Sequence, residues 1–249
     1  MSIPPKFRRK IFVGAAGLCA VGDHGHVHGS CHSTPFKVVF VYTTKDIRTH
    51  GCVYSSETGI WNIISTSTPC QLFVVCFAGT LIAKALYWPL FMPCKGILQF
   101  NLEEQSLAVI KGPPLTNGFY KSSFRIIQAE DGIVGLAILS YPRFQMCKRD
   151  INWHGVAIWV LQKTIEIHSI LGLPPQIEGG TRVRQTKVGY SEDTDVVFIF
   201  VGSSLYMVQL KSMQSKRLYG TSHFPCYYPL TRFYAPGNCS SMANIVGVT

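Results

Sequence analysis

The chain of 249 residues is 47% apolar, and only 14% of its residues are charged. This composition excludes an intrinsically disordered chain and leaves room for one large all-β domain or two small domains. Lysine and arginine outnumber aspartate and glutamate by 23 to 13, which gives a formal net charge of +10. The basic residues are dispersed and do not interleave with aromatic residues, so nucleic-acid binding is not predicted.

The beginning of the chain has the residue order of a secretory signal peptide. Basic residues at Lys6–Lys10 precede an apolar run at Ile11–Val21. No small-x-small cleavage site precedes the polar stretch that begins at Asp23, and glycines interrupt the apolar run. We therefore expect no cleaved leader and a cytoplasmic or nuclear protein.

A histidine-rich stretch follows and contains the metal candidates of the chain. These candidates are His24, His26, His28, Cys31 and His32. Neutral imidazole and thiolate suit zinc, and alternate histidines would share one side of an extended strand. Their spacing matches no familiar structural zinc site, so a polar loop is the favoured interpretation and we expect neither a metal nor another cofactor.

The nine cysteines show no Cys-x-x-Cys pair and no regular spacing. Most of them lie within apolar runs, among them Cys52, Cys76 and Cys147. Cysteines in such places behave as small buried hydrophobic residues in a reducing compartment, where free thiols persist. Their pattern favours this interpretation over a disulfide framework.

A second apolar segment, Leu72–Met92, has about the 20-residue length that spans a bilayer. Lys84 in its middle would be costly in hydrocarbon, and Pro89 interrupts it. We therefore predict two buried strands, Leu72–Phe77 and Leu81–Trp88, divided by a turn, and no membrane partner.

Apolar runs between turn-forming residues predict strands throughout the rest of the chain. The other predicted strands are Phe36–Tyr42, Gly51–Tyr54, Ile60–Ile64, Ile97–Phe100, Leu107–Ile110, Phe124–Ala129, Val134–Ser140, Gln145–Lys148, Val156–Leu161, Val196–Phe200, Ser204–Leu210 and Lys216–Leu218. One or two helical turns are predicted within Thr164–Leu171, ended by Gly172.

One hairpin pattern recurs four times: an apolar strand, a short polar corner and a second apolar strand. The four copies join Cys52–Tyr54 to Ile60–Trp61, Ile97–Phe100 to Leu107–Ile110, Ile158–Leu161 to Thr164–Ile167, and Tyr206–Leu210 to Lys216–Tyr219. Recurrence at roughly 45 to 60 residues is typical of β-propeller blades. The sequence therefore predicts an all-β fold, a partial β-propeller of roughly four antiparallel blades.

Several strings, in order and in register, resemble the C-terminal region of a large family of grass F-box proteins. The strings are Val53–Trp61, Ala85–Trp88, Gln105–Ile110, Ala129–Gly132, Met207–Leu210 and Phe233–Gly237. The resemblance implies a kelch-like, F-box-associated propeller at 15–240, between an N-terminal extension at 1–14 and a tail at 241–249. It also implies a protein-binding domain that recruits the target of a cullin ubiquitin ligase.

The chain departs from that family because no F-box precedes the matching region. We expect the Skp adaptor and the cullin to be partners only if a missing F-box is restored, and the target protein stays unknown. One alternative is a truncated copy that competes for the target or has no activity. Another is a membrane-anchored or secreted β protein.

The motif search indicates a protein without catalytic residues. Gly-x-Ser-x-Gly, His-Glu-x-x-His and phosphate-loop motifs are absent from the sequence. Glu103-Glu104 and Glu130-Asp131-Gly132 are interpreted as solvated turns. We therefore expect binding and not enzymatic activity.

We expect large aromatic rings to pack in the core and connecting loops to form the binding face. Large rings that fill the space between sheets are predicted at Trp61, Trp88, Trp153 and Trp159. Loops that would carry a binding face, because loops vary while sheets hold position, are predicted at Thr43–His50, Leu115–Lys121, Tyr141–Phe144 and Thr181–Tyr190. Which face binds the partner is not predicted.

Overall fold

The computed structural model describes residues 11–19, 35–44, 48–69, 77–90, 96–113, 124–140, 142–174, 187–191, 194–201, 204–220, 227–230 and 244–247. The chain forms two compact units, Met1–Pro114 and Leu115–Thr249. The described elements are strands apart from one short α-helix and one 3-10 turn. Because nearly all the strands pair antiparallel, the predicted all-β class is confirmed.

The described strands of the first unit form two sheets. Its strands are β1 (Ile11–Cys19), β2 (Phe36–Thr43), β3 (Arg48–Ser55), β4 (Trp61–Pro69), β5 (Phe77–Ala78), β6 (Thr80–Ile82), β7 (Ala85–Leu90), β8 (Gly96–Asn101) and β9 (Ser106–Lys111). The first sheet has the order β4-β3-β2-β1-β5, in which β5 runs parallel to β1. The second sheet, β6-β7-β8-β9, is an antiparallel meander.

The second unit contains two four-stranded meanders and a two-stranded sheet. Its elements are β10 (Phe124–Gln128), a 3-10 turn (Glu130–Gly132), β11 (Val134–Ser140), β12 (Arg143–Ile151), β13 (Ala157–Glu166), α1 (Ile167–Leu171), β14 (Lys187–Ser191), β15 (Val196–Val201), β16 (Ser204–Gln209), β17 (Ser215–Gly220), β18 (Tyr227–Leu230) and β19 (Asn244–Gly247). The sheet orders are β10-β11-β12-β13, β14-β15-β16-β17 and β18-β19.

In each of the four larger sheets, a turn with similar backbone geometry joins the last two strands of the meander. Each of these turns holds one residue at positive φ: Gly59 (69°), Gln105 (50°), Gly155 (75°) and Met213 (56°). Left-handed backbone lets the chain reverse tightly, and glycine enters it at no steric cost. These positions recur at the interval that the sequence predicted for its hairpins.

Three of the four predicted hairpins are confirmed, and the third copy is wrong. Residues 157–166 form the single strand β13, so no turn occurs at Gln162-Lys163. The chain reverses earlier, where Asn152 Oδ1 accepts hydrogen bonds from the N–H groups of His154 (3.0 Å) and Val156 (2.9 Å). Gln162 and Lys163 are polar because they lie exposed on an edge strand.

The predicted strand Leu81–Trp88 is also wrong, because it is a hairpin. β6 ends at Ile82, and Ala83 enters the left-handed region at φ 51° before β7 begins. The turn carries Lys84 to the surface, where its Nζ lies 2.5 Å from Glu103 Oε1. A lysine that interrupts an apolar run is therefore solvated at a corner.

Two further expectations are corrected. Lys187–Tyr190, expected in a loop, belongs to strand β14, and Thr43 and Arg48–His50, also expected in a loop, belong to β2 and β3. The helical turn predicted within Thr164–Leu171 is confirmed as α1 at Ile167–Leu171. Its predicted end is confirmed, since Gly172 caps α1 in the left-handed conformation at φ 62°.

The core of the first unit lies between its two sheets and is centred on Trp88. The indole is 1% exposed and belongs to a cluster that contains Val39 and Val41 of β2 and Phe100 of β8. Backbone reaches the ring closely on two sides, because a Cβ added at Gly14 or at Gly79 would overlap the indole. The two glycines therefore allow a large ring to fill this space.

The core of the second unit joins its two meanders through α1. Ile167, Ile170 and Leu171 of the helix belong to one buried cluster with Phe144 of β12 and Val208 of β16. The backbone carbonyl of Ile170 accepts a 2.5 Å hydrogen bond from Ser215 Oγ. The helix thus fixes the end of β13 against the neighbouring sheet.

Two cysteines confirm the interpretation of buried thiols. Cys52 and Cys147 are buried thiols. Burial raises the pKa of the Cys147 thiol, which favours the unreactive protonated form. Cys76, the third cysteine of that prediction, lies outside the described residues.

We expect Trp88→Ala to lower the free energy of unfolding by about 3 to 5 kcal/mol, because the substitution leaves a cavity in the core. Equilibrium urea unfolding measures this change. Trp153→Ala is the matched control, because that indole is 88% exposed and its loss should leave the unfolding midpoint in place. Equal midpoints for the two variants would show that Trp88 is not a core residue.

Candidate functional site

A groove of about 640 Å³ opens in the second unit, along the β10–β13 sheet and the β14–β17 sheet. Strand ends and turns supply most of its walls. The lining residues are Gln128, Ala129, Glu130, Met146, Gln162, Lys163, Tyr190, Asp195, Leu210 and Lys211. Connections of adjacent sheets thus meet at this groove.

Tyr190 joins the two walls of the groove. Its hydroxyl accepts a 3.2 Å hydrogen bond from the backbone N–H of Gln128 and donates a 3.2 Å hydrogen bond to Asp195 Oδ1. The backbone carbonyl of Asp195 accepts a further hydrogen bond, 3.1 Å long, from the N–H of Leu210. This network holds three chain segments in fixed positions around the groove.

The groove carries charges of both signs. Glu130 and Asp195 are acidic, whereas Lys163 and Lys211 are basic. Such a lining suits a polar or charged chain segment better than an apolar small molecule, because buried apolar ligands require mostly apolar walls. Within the described ranges, no group of three His, Cys, Asp or Glu side chains is placed to hold a metal ion.

A second feature of this unit is a hairpin that projects beyond its sheet. The last pair between β11 and β12 is Gly135↔Lys148. β12 and β13 continue to pair with each other at Arg149↔Trp159, Asp150↔Ile158 and Ile151↔Ala157. Residues 149–159, here named the projecting hairpin, therefore form a two-stranded ribbon without support from β11.

The other three large sheets lack this extension. In the second sheet, Asn101 pairs with both β7 and β9, so the outer hairpin ends level with its neighbour. In the last meander, Val208 pairs with Ser215 just inside the final β15–β16 pair, Val196↔Gln209. In the first sheet, Tyr54↔Trp61 is likewise level with the end of β2. The projection is an addition to the repeated architecture.

Large apolar side chains cover the projecting hairpin and lie in solvent. Ile151 is 70%, Trp153 88% and Val156 56% exposed. Ile158 and, just beyond the hairpin, Leu161 are also exposed. Single exposed apolar residues are ordinary, but a contiguous group of this kind marks an interaction surface.

Basic residues accompany these apolar ones. Paired residues share a face of an antiparallel ribbon, so Arg149 lies on the face of Ile151 and Trp159. Lys148 lies 3.4 Å from Asp150 on the other face. The N–H of Ile151 and the nearby Lys148 ammonium lower the pKa of Asp150, which stays charged at neutral pH.

The structure places few of the predicted site residues together. The metal candidates His24 to His32 and the loop Leu115–Lys121 lie outside the described residues. The predicted loop Tyr141–Phe144 contains the connection between β11 and β12, at the opposite end of the sheet from the projecting hairpin. Among the described residues of the predicted loops, Tyr190 lines the groove.

Sequence reasoning missed the projecting hairpin because Trp153 was predicted as a space-filling core ring. This prediction is wrong, since the indole is exposed, whereas Trp88 is buried as predicted. Trp61 is partly buried and stacks on Phe40 with 5.4 Å between ring centroids. Asn152 and Gly155, which flank Trp153, could have indicated its exposure. Residues of these types favour turns, and a ring within a turn lies at the surface.

No protein-family model and no curated protein matches the chain. Among solved structures, the chain is similar to two structures of an extracellular domain from B. thetaiotaomicron, described as part of a one-component system and of a hybrid two-component system. Each is 13% identical; they cover 73% and 74% of this chain, with TM-scores of 0.40 and 0.38. The chain spans 21% of the length of those chains, and likeness at this level supports no functional assignment.

The described part of the chain holds no helix with the length and hydropathy of a transmembrane span.

We expect Tyr190→Phe to lower the free energy of unfolding by about 0.5 to 1.5 kcal/mol, because the hydroxyl joins Gln128 to Asp195. Urea unfolding of the two proteins gives this difference. Tyr54→Phe serves as control, since the Tyr54 hydroxyl makes no hydrogen bond within the described ranges. A Tyr190→Phe midpoint equal to that of the control would exclude a structural role for the hydroxyl network.

Proposed function

We propose that this chain is a protein-binding module and that the projecting hairpin contacts the partner. The observation that carries the proposal is the exposure of Ile151, Trp153 and Val156 at the end of a ribbon that no neighbouring strand supports. Tryptophan is among the residues that contribute most to protein–protein binding when a partner covers it.

The repeat supports this assignment. In repeat architectures, an insertion into one copy lies on a surface and often forms the binding face. The extension from Arg149↔Trp159 to Ile151↔Ala157 occurs in one of four otherwise similar sheets. Since it adds no buried residue, its apolar side chains are better explained by contact with a partner than by stability.

We further propose that the four large sheets are blades of a propeller-type, F-box-associated region. The consecutive meanders and the recurring positive-φ turns support this interpretation. The resemblance to grass F-box proteins then suggests that the partner is the target of a ubiquitin ligase, in the cytoplasm or the nucleus. Engagement of the Skp adaptor and the cullin would need an F-box, and a chain without one would compete for the same target.

Affinity enrichment with the purified chain tests the binding proposal. We expect Ile151→Ser/Trp153→Ser/Val156→Ser to reduce the affinity for a captured and then purified partner by at least about 30-fold, the equivalent of one lost hot-spot residue. Titration by surface plasmon resonance measures the affinity. Because all three residues are exposed, the melting temperature should not change.

Ile60→Ser/Ile63→Ser is the matched control, because it removes exposed apolar side chains from the first sheet. Its affinity should equal that of the unmodified chain. Equal loss in both variants, or no loss in the hairpin variant, would contradict the proposal. The same samples are probed for the Skp adaptor, and its direct capture would contradict the proposal that the adaptor binds only through an F-box.

A further inference from the structure

We infer that β13 accepts an extended, acidic segment of the partner as an additional strand. This inference rests on the proposed function and specifies how the partner binds. Its elements are the free edge of β13, the apolar side chains along that edge and two unpaired basic residues.

The free edge follows from the sheet order. β13 is the last strand of the β10-β11-β12-β13 sheet and pairs with β12 alone among the described strands. One row of its backbone N–H and C=O groups therefore points away from the sheet, as in sheets that bind a peptide by strand addition. With ten residues, β13 is the longest strand described and offers roughly 33 Å of edge.

The edge of β13 differs from the outer edges of the two other four-stranded sheets, which are β9 and β17. Proteins commonly protect such edges with charged side chains, especially lysine. β17 carries Lys216 and Arg217 in succession, and no large apolar side chain of β9 or β17 is exposed in the described part of the chain. β13 exposes Ile158 and Leu161, and its charged residues, Lys163 and Glu166, lie towards its C-terminal end, so residues 157–162 lack this protection.

The charged residues near the edge of β13 indicate which residue types the added strand contains. Arg143 lies 3.4 Å from Glu166, and Lys148 lies 3.4 Å from Asp150. Arg149 and Lys163 have no carboxylate partner within the described ranges, so two positive charges remain beside the edge. Arg149 pairs with Trp159 and Lys163 pairs with Met146, which places the two basic side chains on opposite faces of the sheet. An extended strand with aspartate or glutamate on both of its faces complements them.

The same charges argue against a second copy of this chain on the edge. Two copies would bring their unpaired basic residues together, and each chain carries a formal net charge of +10. Like charges placed opposite each other destabilise an interface. Lys163 also lines the groove, so an acidic segment leaving β13 would continue into it.

A random peptide library displayed on phage and selected on the full chain supplies the probes. We expect the selected peptides to be extended and to combine apolar residues with aspartate or glutamate on both faces of the strand. Each peptide is then synthesised in two N-methylated forms, with methyl groups on either one or the other set of alternate amides. Only one form should lose affinity, by at least about tenfold, because one row of peptide N–H groups pairs with β13.

Charge reversal tests the electrostatic part of the inference, and fluorescence anisotropy measures peptide affinity here and for the N-methylated forms. Arg149→Glu/Lys163→Glu should weaken peptide binding by at least about tenfold. Lys111→Glu/Lys216→Glu, which reverses two exposed charges on other strands, should leave it unchanged. Circular dichroism spectra and melting temperatures verify that all variants are folded.

The outcomes separate this inference from the proposed function. Binding that resists both N-methylated forms but is lost in Ile151→Ser/Trp153→Ser/Val156→Ser would overturn strand addition and leave the hairpin as a side-chain contact. Binding unaffected by that triple variant would contradict the proposed function itself. Selection of basic peptides, selection of no peptide, or a dimer through β13 in analytical ultracentrifugation would overturn the inference.

Discussion

Burial of apolar sheet faces is the interaction on which each unit depends. A single antiparallel meander cannot bury both of its faces, so every sheet needs a neighbour. In the first unit the inward side chains of β2 and β3 meet those of β7 and β8 around Trp88. In the second unit α1 and two meanders share one cluster. Strand ends and hairpins bury few side chains, so packing constrains their length and sequence less.

The projecting hairpin is a region of this kind. Its strands follow the register of β12 and β13 but extend past the sheet, where packing no longer determines the side chains. Exposed apolar residues in that position are unfavourable in solution unless a partner covers them. Gln162 and Lys163 of β13 also line the groove near Tyr190, so the groove and the edge share this strand.

The sequence predicted the strand class and much of the pairing because alternating apolar residues and turn residues are local signals. It predicted the hairpins at Gly59, Gln105 and Met213 correctly. It failed at β13, because Gln162-Lys163 on an exposed edge has the same composition as a turn. Exposure depends on strand order, which composition does not specify.

The groove was equally inaccessible to sequence reasoning. Tyr190 and Gln128 are 62 residues apart, and no local pattern indicates that the Tyr190 hydroxyl accepts a hydrogen bond from the Gln128 backbone. Trp88 and Trp153 differ in their sequence surroundings. Trp88 follows the apolar residues Ala85–Tyr87 and fills the core, whereas Trp153 stands between Asn152 and His154 and is solvent-exposed.

The central claim is that residues 149–159 serve recognition and not stability. Replacing them with Asn-Gly would close β12 and β13 by a tight turn, because Lys148 and Val160 are directly paired. Equilibrium urea unfolding of this shortened chain is the most direct test. The account predicts an unfolding midpoint equal to that of the unmodified chain. A large loss of stability would show that the hairpin supports the core and would contradict the account.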